Sequence, residues 1–314
     1  MNMMSKNIPT IIITGPTASG KTKLSLELAK NNNGEIINAD IMQMYEGFNI
    51  LKAMPSTEEK FEIKHYLFGV IKKETKFTVA DWIKLAKDKI SEIHEKGKVP
   101  IVVGGSGMYL NAAINGLSEI PDIKKVYRHK AEHLYRIKGF DLILKKLLKI
   151  DKDFKIEKND RQRLIRAYEV FLQTGRSIKW WQNNSVNEPI IKNCLKILIS
   201  PPRDELYSFI DKRVDLMVEK GLINEAKNEM LNVVSFDNPS MKAIGIKYLN
   251  QYLNKEISLN DTLNLIKKDS RRYAKRQSTW FRNSFSYDII YNKIYTGDIK
   301  FTNKAVKALN LLYT

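Results

Sequence analysis

GPTASGKT, at residues 15–22, decides the fold of this 314-residue chain. The octapeptide matches the phosphate-loop pattern G-x-x-x-x-G-K-[ST], in which backbone N–H groups and a helix N-terminus face a polyphosphate. That pattern needs a strand before it and a helix after it. The apolar run Thr10–Thr14 and the amphipathic run Thr22–Lys30 provide both. We therefore predict a phosphate-binding loop between a buried strand and a helix.

The residue types of this loop indicate what each position contributes. Lys21 adds a positive charge beside the phosphates, and the hydroxyl of Thr22 is a ligand for Mg²⁺. The other positions supply the loop itself: Gly15, Pro16, Thr17, Ala18, Ser19 and Gly20. The loop thus predicts Mg²⁺ and a phosphate compound as ligands, but it leaves the identity of that compound open.

The order of apolar and amphipathic segments predicts an α/β fold. Strands and helices alternate from residue 10 to about 116, with apolar runs at Ile36–Ile37 and Ile101–Val103, which is typical of a parallel sheet covered by helices. The alternation then stops, and the next strand-like run is Lys196–Ile199. We therefore predict a P-loop catalytic core made of residues 1–116 and 190–314.

A helical insertion domain is predicted between these two parts, at residues 117–189. Helical periodicity covers Lys124–Ile137 and Phe140–Lys149. A third helix is predicted to begin at the cap Asn159-Asp160 and to end before Gly175.

The net charge narrows the class of partner. The chain has 53 Lys and Arg against 35 Asp and Glu, a formal net charge of +18. An extended positive field of this kind suits a polyanion larger than a nucleotide. A lysine-rich composition with no ligand behind it is the alternative.

Basic residues cluster in a segment with helical periodicity near the C-terminus. Residues at seven-residue spacing are predicted to face the core: Ile266, Tyr273 and Trp280. Another face would then carry a basic stripe of Arg271, Lys275 and Arg282. The stripe suits phosphates of RNA or of a small ligand, and a solvated face is the alternative.

Several classes of site and location are disfavoured. Cys194 is the only cysteine, which excludes an internal disulfide and a cysteine-rich zinc site. His129 and His133 lie among Lys and Arg, so we interpret them as an exposed helix face. No apolar run approaches the ~20 residues that span a bilayer, and Ile11–Ile13 is too short for the core of a signal peptide. We expect a cytoplasmic protein and a monomer.

Two further turns should meet the phosphate loop, because ligands of open α/β sheets bind at the carboxyl ends of the strands. The strand Glu35–Ala39 is followed by Asp40. This carboxylate would hold Mg²⁺ in a phosphate-loop hydrolase, or accept a proton beside a bound acceptor. The strand ending at Val103 is followed by Gly104-Gly105-Ser106-Gly107, where Ser106 is able to contact a phosphate or a nucleotide. A purely structural turn is the alternative for this GGSG segment.

Together these motifs resemble those of the tRNA dimethylallyltransferases, also called tRNA isopentenyltransferases. The similar segments run in order along the whole chain: GPTASGKT (15–22), NADIMQMY (38–45), VADW (79–82), PIVVGGSGMYL (100–110), DRQRLIRAYEVFLQTGR (160–176), PPRDELYSFIDKRVDLMVEKGLINEA (201–226), AIGIKYL (243–249) and RRYAKRQSTWFR (271–282). Any one of them is modest evidence, but their order and spacing together are specific.

The resemblance implies a reaction and its participants. A member of this family transfers a dimethylallyl group from dimethylallyl diphosphate to N6 of adenosine 37 of tRNA, beside the anticodon, with Mg²⁺. By this resemblance, Asp40 is the base that takes a proton from N6. Lys21, Thr22 with Mg²⁺, the loop amides and Arg213 would stabilise the leaving diphosphate.

The resemblance also implies which residues contact tRNA. The adenosine must leave its stack to reach the donor, so the family positions include a channel for a flipped base. The matching residues here are Asp40, Ile41, Met42 and Gln43, then Gln162, Arg163, Leu164, Ile165 and Arg166 in the insertion, and Ser106 and Arg128. Gln43 would bond the edge of the base, whereas a salt bridge with Glu169 is the alternative role of Arg166.

This chain departs from the family pattern at a few positions, and two other functions stay open. Ile41 replaces a serine, Ser106 replaces the threonine of a GGTG turn, and the segment Leu51–Pro55 (LKAMP) replaces GTAKP, where Lys52 could reach the same phosphates. A nucleoside or small-molecule kinase would share the phosphate loop and Asp40 and would bind ATP. A non-catalytic RNA-binding protein would share only the basic stripe.

Overall fold

The computed structural model describes residues 8–158, 160–185, 187–231 and 235–313. The chain forms two compact units. One comprises the described residues up to Ile114 together with those from Ile190 onward, and the other is Asn115–Pro189. The sequence placed the start of the insertion at residue 117.

A six-stranded parallel sheet forms the centre of the first unit. Its strands are β1 (Thr10–Thr14), β2 (Gly34–Asn38), β3 (His65–Tyr66), β4 (Val99–Gly104), β5 (Cys194–Ile199) and β6 (Ile289–Tyr291). They lie in the order β3-β2-β4-β1-β5-β6, and neighbouring strands pair in parallel. Every residue of β1, β2 and β4 is buried, which explains the apolar runs Ile11–Ile13, Ile36–Ile37 and Ile101–Val103 within them. The predicted α/β fold, a parallel sheet covered by helices, is confirmed.

The helices follow in chain order. They are α1 (Lys21–Asn31), α2 (Ile41–Met44), α3 (Thr57–Glu62), α4 (Val79–Glu95), α5 (Gly107–Asn115), α6 (Lys125–Leu148), α7 (Arg161–Thr174), α8 (Ile178–Asn184), α9 (Arg203–Glu219), α10 (Leu222–Met230), α11 (Ile246–Leu253), α12 (Leu259–Ser284) and α13 (Ile299–Asn310). A short 3₁₀ helix spans Pro239–Lys242. The second unit contains α6, α7 and α8.

Helices bury both faces of the sheet. Ile12 of β1 belongs to one core cluster with Trp82 of α4 and Leu110 of α5. Its neighbour Ile11 belongs to another cluster with Leu24 of α1. Successive residues of a strand point to opposite faces, so one apolar strand supplies side chains to both cores.

The register of the central strands brings three turns together. Thr14 of β1 pairs with Gly104 of β4, and Val103 pairs with Asn38 of β2. The turns that follow β1, β2 and β4 therefore begin side by side at the carboxyl edge of the sheet. Gly104 makes this alignment possible, because a Cβ there would lie 2.1 Å from the carbonyl oxygen of Ala39.

The buried face of α12 matches the predicted one in part. Ile266 is buried, and the half-buried Trp280 packs against the core cluster of Trp82 and Leu110. Tyr273 is half-buried, while Ala274, Gln277 and Phe281 are buried. A seven-residue spacing drifts by about 20° per heptad on a straight α-helix, so the apolar face does not follow it over two heptads. The spacing 274, 277 and 281 matches the true helical period.

The predicted basic stripe on α12 is also divided. Arg271 is paired with Asp211 of α9, with 2.6 Å between Nη1 and Oδ1. Lys275 and Arg282 are exposed. Only these two members of the stripe are accordingly available to a polyanion without breaking that ion pair.

The second unit has its own small core. α6 contains a kink at Gly139, whose φ is 75°, so the two helices predicted there form one interrupted helix. Asp160 is the N-cap of α7, and its side chain accepts a hydrogen bond from the backbone N–H of Arg163. Asn159, the other half of the predicted cap, lies outside the described residues. His129 and His133 are both exposed, as expected for a polar helix face.

Among the described residues, none of the helices combines the length and the apolar character needed to cross a membrane.

Trp82 anchors the end of β2, and its replacement tests this part of the fold. The side chain is fully buried, and its Nε1 donates to the carbonyl oxygen of Asn38 at 2.9 Å. Trp82→Phe leaves that carbonyl unpaired and opens space, so we expect the free energy of unfolding in urea to fall by about 1–3 kcal/mol. Trp180→Phe, at a position 38% exposed on α8, is the matched control and should change it by less than about 0.5 kcal/mol. If the two variants have the same free energy of unfolding, Trp82 does not stabilise the end of β2 as described.

Candidate active site

A cavity of about 1030 Å³ opens where the three turns meet. The phosphate loop, the turn after β2 and the turn after β4 contribute Lys21, Asp40 and Gly105 to its lining. α9 and α12 complete the wall with Arg213 and Tyr273. Most residues that the sequence assigned to the donor and to the flipped base therefore share one cavity.

The phosphate loop is braced but keeps one polar group unused. Ser19 N–H donates to the carbonyl oxygen of Pro16, and Leu24 N–H donates to that of Gly20. The buried Oγ of Ser19 has no hydrogen-bond partner among the described residues. Because buried hydroxyl groups are normally paired, this one is suited to a bound phosphate oxygen. The N–H groups of the first turn of α1 also lack intrahelical partners by helix geometry.

Lys21 is a buried cation at the base of the loop. Its Nζ donates to the carbonyl oxygens of Gly15 and Pro16, at 2.9 and 2.7 Å. Burial lowers the pKa of Lys21 to about 8; the nearby Asp40 carboxylate opposes this shift and Arg213 reinforces it. An anion placed beside Nζ would favour the protonated form.

Arg213 reaches the loop from α9, almost 200 residues further along the chain. Its Nη1 donates to Oγ1 of Thr17 at 3.0 Å. Burial lowers the pKa of the guanidinium and Asp40 opposes that effect, but arginine remains charged in proteins. Two cations thus stand at the loop, as the resemblance predicted for the leaving diphosphate.

Asp40 is held in place by its neighbours. Its N–H donates to Oδ1 of Asn38 at 2.8 Å, and its Oδ1 accepts from the N–H of Met42 at 3.0 Å. The second bond makes Asp40 the N-cap of α2. The carboxylate is half-buried and lines the cavity, so it combines fixed orientation with access to a ligand.

Gln43 also lines the cavity, with its amide oriented by the following loop. Its Nε2 donates to the carbonyl oxygens of Lys52 and Ala53, both at 2.9 Å. These two bonds use both amide hydrogens, which leaves Oε1 to accept from a ligand. Ile41 and Met42 line the cavity beside it.

Lys52, which the sequence suggested as a phosphate ligand, uses its ammonium group to bind backbone carbonyl oxygens. Its Nζ donates to the carbonyl oxygens of Tyr45 and Glu46. Burial lowers its pKa to about 8, and Glu229 and Glu225 oppose this shift. Its ammonium group is therefore engaged by the turn after α2, although the residue also lines the cavity.

The five residues of the insertion that match tRNA-contacting positions of the family, 162–166, differ in their exposure to solvent. Gln162 and Arg163 are exposed, whereas Leu164 and Ile165 are 0% and 2% exposed and pack in the core of this unit. The side chains of Leu164 and Ile165 face away from solvent because α7 is amphipathic. Contact of these five residues with RNA stays a prediction. Arg166 is half-buried.

Two of the three insertion arginines that were predicted to contact tRNA, Arg128 and Arg166, share one buried acid. Arg166 Nη1 donates to Oε1 of Glu169 at 2.8 Å, and Arg128 Nη1 lies 3.4 Å from Oε2 of the same residue. Arg128 Nε also donates to Oε1 of Glu132 at 2.7 Å. The alternative role considered for Arg166 is therefore present, and any RNA contact by these two arginines uses groups already ion-paired.

Ser106 stabilises the turn after β2, which carries Asp40. Its Oγ accepts from the N–H of Ile41 at 3.1 Å, and its N–H donates to the carbonyl oxygen of Ala39 at 3.1 Å. Contact of Ser106 with RNA stays a prediction.

Sequence reasoning missed two residues that hold the phosphate loop. Tyr295, just after β6, donates its N–H to the carbonyl oxygen of Ser19 at 3.0 Å. Gln277 of α12 accepts from the N–H of Thr17 at 2.9 Å. No local signal marks Tyr295, but Gln277 is an uncharged residue within a basic run, on the face that the 3.6-residue period places inward.

Comparison with known proteins assigns the family. A profile of the family described as IPP transferase matches residues 43–284. The chain belongs to the IPP transferase family. A tRNA dimethylallyltransferase of Ehrlichia chaffeensis is 39% identical to it over 282 residues, which are 90% of this chain and 93% of the relative. The family resemblance derived from the motifs is confirmed.

Solved structures of IPP transferases agree with this assignment. The tRNA isopentenylpyrophosphate transferase of Bacillus halodurans is 38% identical, with a TM-score of 0.68 and coverage of 97% of this chain and 95% of that one. A eukaryotic dimethylallyltransferase acting on tRNA is 27% identical, with a TM-score of 0.79 and coverage of 96% and 78%. The family favours a transferase over the kinase that the phosphate loop alone left open.

The lowered pKa of Lys21 predicts how this IPP transferase binds its diphosphate ligand as pH changes. A bound diphosphate raises the pKa of Lys21 above its free value of about 8, so binding takes up a proton once the free protein has lost it. Affinity should be greatest below pH 8 and fall about tenfold for each further pH unit, since one proton is coupled to binding. Titration calorimetry with dimethylallyl diphosphate between pH 7 and about 9 measures this fall.

Two variants control the pH experiment. Lys21→Met should bind weakly and without this pH dependence. Lys30→Met, on the exposed surface of the same helix, should keep the full dependence. If the unsubstituted protein has the same dissociation constant for dimethylallyl diphosphate at pH 7 and at pH 9, Lys21 is not the cation that binds the diphosphate.

Proposed function

We propose that this IPP transferase transfers the dimethylallyl group of dimethylallyl diphosphate to N6 of adenosine 37 in tRNA, giving N6-dimethylallyladenosine and diphosphate. The observation that carries the proposal is the single cavity lined by Lys21, Arg213 and Asp40. A cation pair for a leaving diphosphate and a carboxylate for an acceptor proton lie within one enclosure, in a chain of this family.

The cavity wall also suits a hydrocarbon donor. Val214 and Met217 of α9 and Ile266 of α12 line the same cavity and are buried. An apolar wall stabilises a five-carbon chain through removal of its surface from water. A kinase acceptor such as a nucleoside would leave its polar groups unpaired against these side chains.

The donor half of the reaction depends on electrostatic stabilisation. The bond between C1 of the allylic group and the diphosphate oxygen breaks, and negative charge grows on the diphosphate. Lys21, Arg213 and the loop N–H groups are the donors that meet this charge, in a site where burial strengthens each interaction. They act on the leaving group and not on the carbon, so they favour departure without competing as nucleophiles.

The acceptor half depends on Asp40. The lone pair of an adenine amine is delocalised into the ring, so N6 attacks C1 only as its proton is removed. Asp40 takes that proton. The bond from Met42 N–H orients its carboxylate, and the bond from its own backbone N–H to Oδ1 of Asn38 holds its backbone. We expect Oε1 of Gln43, whose amide hydrogens are used by Lys52 and Ala53, to accept the remaining hydrogen of the amine.

Mg²⁺ fits the groups at the phosphate loop. The described residues contain no cluster of three His, Cys, Asp or Glu that would hold a metal by themselves. Mg²⁺ commonly uses one or two protein oxygens together with substrate phosphates, so a single hydroxyl beside a diphosphate is sufficient. Thr22, which lines the cavity at the first turn of α1, would hold it. When bound, the ion neutralises charge on the diphosphate.

The tRNA partner is proposed to bind through its anticodon stem-loop. Exposed basic groups support this: Arg163 of the insertion and Lys275 and Arg282 of α12. With a net charge of +18, the chain has the field that a polyanion requires. We propose that it acts as a monomer in the cytoplasm, where its RNA substrate is found.

A transfer assay tests the proposed function. Purified protein, Mg²⁺ and radiolabelled dimethylallyl diphosphate are mixed with unmodified tRNA carrying adenosine at position 37, and with the same tRNA carrying guanosine there. Label should enter only the first tRNA. ATP with nucleosides is the parallel test: phosphorylated nucleoside without labelled tRNA would mean a kinase.

Asp40→Asn tests the base. The asparagine side chain still caps α2, because its oxygen also accepts from Met42 N–H, but it takes no proton. We expect donor affinity within about threefold of normal and a single-turnover transfer rate lowered by about 10²–10⁴-fold. Asp88→Asn, at an exposed position of α4, is the matched control and should transfer normally. A near-normal rate for Asp40→Asn would remove this residue from the role of base.

A further inference from the structure

Gln277 joins two loops that are far apart in sequence. Its Oε1 accepts from the N–H of Thr17 in the phosphate loop at 2.9 Å, and its Nε2 donates to the carbonyl oxygen of Gly105 in the GGSG turn at 3.0 Å. The residue is 6% exposed. Both ends of one buried, planar amide are therefore used to hold two walls of the cavity.

The contact between α12 and the GGSG turn leaves no spare room. A Cβ at Gly105 would lie 2.2 Å from Nε2 of Gln277, and a Cβ at Gly107 would lie 2.1 Å from the ring of Trp280. The absence of side chains at Gly105 and Gly107 thus allows α12 to pack directly against the backbone of this turn. A helix seated this closely transmits the position of one loop to the other.

Each loop held by Gln277 is bonded to residues that the proposed reaction uses. Thr17 also accepts from Arg213 through its side chain, so its backbone and its hydroxyl are fixed by different helices. On the other side, Gly105 is followed by Ser106, which bonds the backbone on both sides of Asp40: Oγ with the N–H of Ile41, and N–H with the carbonyl oxygen of Ala39. Gln277 accordingly connects the diphosphate loop to the turn that presents the base.

We propose that Gln277 is a positioning residue for the transfer step, which fixes the phosphate loop relative to the turn that carries Asp40. The inference rests on the proposed function. The transfer requires C1, held through its diphosphate, to approach N6, held beside Asp40. An error of about 1 Å in such an alignment costs on the order of 10²-fold in rate. Substrate affinity depends on each loop separately and changes little.

Glutamine is the side chain that this position requires. It supplies one acceptor and one donor in a rigid plane. Gln277→Met keeps most of the volume and loses both bonds. Gln277→Glu keeps the acceptor for Thr17 N–H, but its ionised form places a second acceptor against the carbonyl oxygen of Gly105. Once protonated, the same carboxyl donates to that oxygen and restores both bonds.

Steady-state and single-turnover transfer by the variants test the proposal. Gln277→Met should lower kcat by about 10–100-fold, with KM for both substrates and donor affinity within about threefold of normal. Gln277→Glu should be similarly slow at pH 8 and should recover relative to the unsubstituted protein as pH falls toward about 5–6, because its carboxyl becomes protonated. Thr262→Val is the matched control on α12: Thr262 is fully buried, and its hydroxyl donates to the carbonyl oxygen of the N-cap residue Ser258 at 2.9 Å. It should keep kcat.

Hydrogen exchange provides a readout that does not depend on activity. Loss of the bond from Thr17 should speed amide exchange in the peptide spanning residues 15–20 for Gln277→Met, and not for Thr262→Val. Unchanged exchange, an unchanged kcat for Gln277→Met, an equal loss of kcat in both variants, or a Gln277→Glu pH profile like that of the unsubstituted protein would each overturn the proposal. Failure of the unsubstituted protein to label tRNA is a separate result, because it contradicts the proposed function, while the exchange data still test the connection.

Discussion

The parallel register of β2, β4 and β1 is the constraint on which the whole site depends. It aligns the ends of these strands, so that the phosphate loop, Asp40 and the GGSG turn start from one line at the edge of the sheet. The alignment tolerates no side chain at Gly104, where the backbone of Ala39 passes. A shift of one residue in any of these strands would move the acceptor carboxylate away from the phosphate loop and turn its side chains to the other face.

Charge and burial then give this common edge its chemistry. Lys21 and Arg213 are cations in a partly enclosed cavity, and burial lowers the pKa of both. The negative charge of Asp40 offsets part of their positive charge, and a bound diphosphate would offset the rest. In the proposed reaction, the same groups that are costly to bury alone would stabilise the leaving diphosphate. The polar network around them extends from Arg213 through Thr17 to Gln277.

The sequence predicted what local spacing determines and missed what distant contacts determine. The strand–loop–helix unit around Lys21 follows from a contiguous pattern, and it forms as expected. The bond between Thr17 and Gln277 joins residues 260 positions apart, which no short pattern contains. On α12 the seven-residue spacing correctly placed Ile266 in the core, but it did not identify Ala274, Gln277 and Phe281 as buried, because a straight helix repeats every 3.6 residues. In the insertion, the apolar side chains of Leu164 and Ile165 form part of the core of that unit, and the tRNA contact that the motif match assigns to these two residues stays a prediction.

The central claim is that one cavity brings the donor diphosphate and the acceptor amine together. A crystal structure of the protein with a thio-analogue of dimethylallyl diphosphate and an anticodon stem-loop containing adenosine 37 tests it most directly. We expect diphosphate oxygens against Lys21 and Arg213, and N6 within about 2.6–3.2 Å of the Asp40 carboxylate. A diphosphate bound outside the phosphate loop, or an adenine held away from Asp40, would contradict it.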